Sequence, residues 1–87
     1  MPDITVVQAP ACHFCDDAHA ALDALGAQYP LRVHYVEAAS AAGTALVRRH
    51  RVAMFPLVLL DGAYFSQGRL PVRKLRTLLD RQWAGAR

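Results

Sequence analysis

The strongest constraint on this 87-residue chain is that its hydrophobic period changes twice within the first 36 residues. Ile4-Thr5-Val6-Val7-Gln8-Ala9 is short, β-branched, poor in helix formers and stopped by Pro10, the pattern of a buried strand. From Cys12 onward Cys15, Ala18, Leu22 and Leu25 recur at helical spacing. Asp16 and Asp17 fall in the first turn, where the helix dipole favours acids, and Gly26 can close the far end. Leu31-Arg32-Val33-His34-Tyr35-Val36 then alternates and is rich in strand formers. Two strands joined through a helix imply a right-handed parallel crossover, because a right-twisted strand feeding a right-handed helix packs back on its sheet with that hand.

The remainder extends the sheet. Ser40 can cap a second helix running to about His50, although Gly43 weakens it and its apolar stripe of Ala42, Ala45 and Leu46 is thin. Leu57-Val58-Leu59-Leu60 is a compact apolar run followed by Asp61-Gly62, which supplies the positive backbone angles of a tight hairpin turn, and Ala63-Tyr64-Phe65-Ser66 returns antiparallel. After Gln67-Gly68-Arg69, Pro71 suits a first helical turn, and Val72, Leu75, Leu78, Leu79 and Trp83 mark an amphipathic last helix. The predicted order is βαβαββα: an α/β fold with a mixed four-stranded sheet flanked by helices.

A chain of 87 residues that is 54% hydrophobic and 20% charged has enough apolar surface for one ordered domain, residues 1–87, and no feature of it demands more than a monomer. No basic flank followed by an apolar run opens the sequence, and no stretch reaches membrane-spanning length. A cytoplasmic location is the expectation, where thiols are usually kept reduced. The net charge of +3 gathers in Arg48 to Arg51 and Arg69 to Arg81. These clusters fit a helix C-terminus and the wet face of a helix, and no aromatic interleaving or binding motif points to nucleic acid. An acidic protein partner or an anionic thiol substrate suits them better.

Cys12-His13-Phe14-Cys15 stands at the junction of the first strand and the first helix. A Cys-x-x-Cys there is a redox signature with a mechanical reason. Cys12 falls where unpaired backbone N–H groups and the positive end of the dipole favour thiolate over thiol. Cys15, in register with Ala18 and Leu22, faces inward and lies close enough to close a disulfide. Cys12 is thus the attacking sulfur and Cys15 the resolving one, with no resident cofactor required. His13 can add positive charge beside Cys12, opposed by Asp16 and Asp17, and Phe14 reads as an exposed contact for a partner. The rival reading is a binding module that holds zinc or a protein partner without turnover. Cys12, Cys15 and His19 have Cys-x2-Cys-x3-His spacing, but no second cysteine pair completes a zinc site, so no metal is expected.

Over nearly its whole length the chain resembles the glutaredoxin branch of the thioredoxin superfamily. The resemblance rests on the strand before Cys12-His13-Phe14-Cys15, on Val52-Ala53-Met54-Phe55-Pro56-Leu57 ahead of a strand, and on Gln67-Gly68 before the last helix. It implies a thioredoxin-like fold in which Pro56 is cis and faces the cysteines. The backbone of Phe55 would pair with substrate as an added strand. It also implies substrate contacts from His13, Phe14, Phe55, Pro56, Gly68 and Arg69. The family's glutathione-holding residues are replaced here by Ala9, Phe14, Leu57 and Gln67-Gly68-Arg69. Arg69 can still hold a carboxylate bidentately. The tryptophan that typical thioredoxins place before the motif is Ala11. The implied partners are a disulfide-containing protein or small thiol substrate, with a thioredoxin reductase or glutathione as electron source.

Overall fold

The computed structural model describes the backbone of residues 1–86 and the side chains of residues 1–82. Its elements follow the predicted order: β1 (Asp3–Gln8), α1 (His13–Gly26), β2 (Arg32–Glu37), α2 (Ala41–His50), β3 (Leu57–Leu60), β4 (Ala63–Gln67) and α3 (Val72–Ala86). The sheet order is β2-β1-β3-β4, with β1 parallel to β2 and antiparallel to β3, and β3 antiparallel to β4.

The central strands β1 and β3 are apolar on both faces because helices cover both. Side chains alternate across a strand, so Ile4, Val6 and Val58 join Ala18, Leu22 and Leu25 of α1 and Leu75 and Leu79 of α3 in one cluster. Val7, Leu57 and Leu59 point the other way, against Leu46 and Val47 of α2. Each of these aliphatic side chains contributes about 1.5–3 kcal/mol when fully buried. The stripe expected on the last helix is present through Val72, Leu75, Leu78 and Leu79; the side chain of Trp83 lies outside the described residues.

Turn chemistry fixes the register. Asp61 and Gly62 take φ of 50° and 84°, as the tight hairpin requires. The hairpin tip is bonded to the start of β1: Asp61 N–H donates to the Asp3 carbonyl at 2.7 Å, and Asp3 N–H to Asp61 Oδ1 at 2.8 Å. Ser40 caps α2 by accepting from Gly43 N–H at 3.0 Å. Arg48, Arg49 and His50 fill the last turn of that helix, the favourable end for positive charge.

The stripe on α2 differs from expectation. Ala42 and Ala45 are exposed, and the helix packs through Gly43, Leu46 and Val47. Gly43 is the point of closest approach to the end of β2. A Cβ there would overlap the Glu37 carbonyl oxygen and come within 2.9 Å of Ala38 Cα. The glycine that weakens the helix locally is what lets the helix dock.

Gly43→Ala therefore destabilises the protein by about 1–3 kcal/mol in urea unfolding, through overpacking, where an unconstrained helical site would gain about 1 kcal/mol. A second tie holds α3 to the loop after α1: Tyr29 Oη donates to the Asp80 carboxylate, which raises the tyrosine pKa. The folded state thus favours neutral Tyr29. Its contribution is complete below the ordinary tyrosine pKa and disappears as pH rises through the raised one. The melting-temperature deficit of Tyr29→Phe is expected to shrink over that alkaline range.

Candidate active site

Where β1 ends, residues Ala9 to Ala11 lead into α1, with Ala11 in the left-handed region at φ 52°. Cys12 is the N-cap residue, extended at φ −116° and ψ 106°, and its carbonyl accepts the first helical bond from Asp16 N–H at 3.1 Å. Its sulfur accepts from Cys15 N–H at 3.0 Å. An N–H aimed at the sulfur, at the positive end of a 14-residue helix, favours a negative charge on Cys12 in the reduced protein. Cys15 lies one turn in, 4% exposed and next to the α1 core positions. The two cysteines form a disulfide with their Cα atoms 5.2 Å apart. Cys12 is the more exposed of the pair, so it is the sulfur nearer to solvent.

The facing wall comes from the segment before β3. Val7 pairs with Leu57, which sets the residues after β1 beside those before β3. Phe55-Pro56 is cis, and Cys12 Sγ lies 3.8 Å from the Phe55 carbonyl oxygen. Between them is a cleft of about 520 Å³ whose lining includes Pro10, Cys12, His13, Phe14 and Phe55. Behind the cleft the loop is held from β4. Gln67 Oε1 accepts from Ala53 N–H at 2.8 Å and from Met54 N–H at 3.1 Å. Gly68, at φ 75°, donates its N–H to the Pro56 carbonyl at 3.1 Å.

The sequence-predicted residues therefore divide. His13, Phe14 and Phe55 line the cleft with Cys12, and Phe14 is 37% exposed. Pro56 and Gly68 are buried and shape the wall from behind. Arg69 is exposed and lines a second groove, which Phe14 also reaches. His19 turns away from the cysteines, stacking on Tyr35 at 4.7 Å and facing Asp23 at 3.6 Å. Burial first and the Asp23 charge second raise the pKa of Tyr35. Among the described residues, no group of three His, Cys, Asp or Glu side chains is placed to hold a metal ion.

Met54 and the side chain of Gln67 belong to the loop support behind the cleft, without a sequence signal of their own. Met54 is half exposed and would meet any Cβ added at Gly68 at 3.4 Å. Gln67 acts as a double acceptor only because the hairpin returns it to residues 53 and 54. Gln67→Leu removes that acceptor, so the Ala53 and Met54 amides should exchange at least about 5-fold faster, as loss of about 1 kcal/mol of bonding gives. Gln67→Glu, which keeps a carboxylate oxygen for both donors, should restore slow exchange.

In sequence comparisons no family model and no curated protein matches the chain. Solved structures do. A thioredoxin-like protein from Clostridium perfringens superposes with TM-score 0.74 at 14% identity, covering 93% of this chain and 70% of that one. Thioredoxin O2 from Arabidopsis thaliana, in its oxidized state, gives TM-score 0.68 at 15% identity, covering 93% of this chain and 74% of its own. Together with the strand order and the Cys12–Cys15 pair at the head of α1, these likenesses establish that the chain has the thioredoxin-like fold.

Proposed function

We propose that the protein is a thiol-disulfide oxidoreductase, a glutaredoxin-like redoxin that reduces protein or small-molecule disulfides. The observation that carries the reading is the sulfur of Cys12 capping α1 under the Cys15 N–H, with buried Cys15 in bonding range behind it. The cycle starts from the dithiol. Cys12 thiolate attacks one sulfur of the target disulfide, forming a Cys12 mixed disulfide and releasing the other target sulfur as a thiolate. Cys15, deprotonated, then attacks Cys12 Sγ, expels the second target thiolate and leaves the Cys12–Cys15 disulfide. Two electrons pass to the target, and its two thiolates take up protons from solvent.

The backbone of Phe55, whose carbonyl oxygen lies 3.8 Å from Cys12 Sγ, would pair with the substrate backbone as an added strand. Glutathione or a thioredoxin reductase would return the two electrons, and the chemistry suits a reducing compartment such as the cytoplasm. No helix among the described residues is long and apolar enough to cross a membrane.

Bis(2-hydroxyethyl) disulfide, small and neutral, provides the test. Cys12→Ser should fall to the uncatalysed rate, and retained turnover would remove the nucleophile assignment. Cys15→Ser should instead accumulate mixed disulfides, seen by intact mass and reversed by dithiothreitol. If none form, Cys15 is not the resolving thiol.

A further inference from the structure

Beside the dithiol lies a groove of about 710 Å³ between α1 and the segment that enters α3. Phe14 lines both this groove and the cleft at Cys12, so the two are neighbours across that side chain. The groove has an apolar side in Phe14 and Leu70. Its rim is cationic: Arg69, Arg73 and Lys74 line it, against the single carboxylate of Asp17. Among the described residues none of these three cations meets a carboxylate within ion-pair distance. Lys74 Nζ sits 5.5 Å from the Phe65 ring centroid, a contact that orients the ammonium without neutralising it.

An excess of unpaired positive charge around a partly apolar trough, next to the Phe14 that also lines the cleft at Cys12, is complementary to a chain carrying carboxylates near its cysteine. We propose that this groove docks an acidic segment of the protein substrate, so that target disulfides flanked by Asp or Glu are reduced preferentially. The proposal rests on the oxidoreductase reading above and adds the substrate class to it. Complementary charge of this kind acts mainly on encounter and register. The preference should therefore appear in kcat/KM and weaken as salt shortens the screening length.

The test uses the whole chain and disulfide-bonded peptides that differ only in glutamate, serine or lysine at the positions flanking the cysteine. The wild type should favour the glutamate peptide over the serine peptide by about 10-fold at low salt, with the advantage falling several-fold in 0.5 M salt. Arg73→Glu/Lys74→Glu should bring that ratio below one. Arg48→Glu/Arg49→Glu makes the same charge change at the end of α2, away from the groove, and should leave the ratio as it is. Loss of the preference in both double variants would overturn the proposal, since net charge alone would then explain it. So would a wild type with no glutamate preference, or groove variants impaired only toward a glutathione mixed disulfide. Fluorescence anisotropy with a cysteine-free acidic peptide reads docking without turnover. Binding that the groove variant loses, in a protein inactive on every disulfide, would sink the oxidoreductase reading and leave the groove assignment standing.

Discussion

Val7 and Leu57 face each other across the two central strands, and the position of the site follows from that pairing. Both are fully buried, on the face that α2 covers. A slip of one residue would turn Val7 and Leu57 out of that cluster and bring Val6 and Val58 out of the other. The two apolar layers therefore hold a single register. Given that register, the chain leaving β1 toward Cys12 has to run beside the chain arriving at β3 through Phe55 and Pro56. The 3.8 Å approach of Cys12 Sγ to the Phe55 carbonyl is a consequence of core packing several residues away.

Chemistry at Cys12 depends on a second, local constraint. The first N–H groups of a helix lack intrahelical partners, and an N-cap side chain satisfies one of them. Serine, threonine and aspartate usually do this with oxygen; here the acceptor is the Cys12 sulfur, 3.0 Å from the Cys15 nitrogen. The group that completes the helix is thus the group proposed above as the nucleophile. Charge on it strengthens the cap, since hydrogen bonds to ionised acceptors are stronger than to neutral ones. On that proposal the same side chain serves folding and nucleophilicity without conflict.

These two constraints explain which features were legible in the sequence. The seven elements were, because each carries its period and its punctuation locally: Pro10 after the first strand, Ser40 before the second helix, Asp61-Gly62 in the hairpin. The placement of Cys12 at the head of the first helix, among unpaired N–H groups, was too, while its sulfur as the cap acceptor is seen only in the structure. Gly43 was not. From sequence it is a weak point in a helix, and only the course of Glu37 and Ala38 beneath it turns the missing Cβ into a requirement. Gln67 was visible only as a neighbour of Gly68, because its two hydrogen bonds reach 13 and 14 residues back along the chain. Arg69 was placed near the substrate by resemblance, and its company with Arg73 and Lys74 around one groove depends on how α3 enters the fold.

The Cys12–Cys15 disulfide contributes less to the fold than the apolar clusters do. A disulfide stabilises chiefly by restricting the unfolded chain, and the effect grows with the length of the loop it closes. Cys12 and Cys15 are three residues apart, a closure worth about 2 kcal/mol on the loop-entropy relation. Truncating a single buried leucine in either apolar cluster would cost about 2–5 kcal/mol. The sheet and its helices are therefore held by Ile4, Val6, Leu22, Leu75 and their neighbours rather than by the sulfurs. The Phe55 wall is held by the pairing of β1 with β3 and by hydrogen bonds to Gln67 and Gly68, none of which involves the sulfurs. For the dithiol cycle proposed above, that separation means that the wall facing Cys12 is positioned by contacts that do not require the sulfurs to be joined.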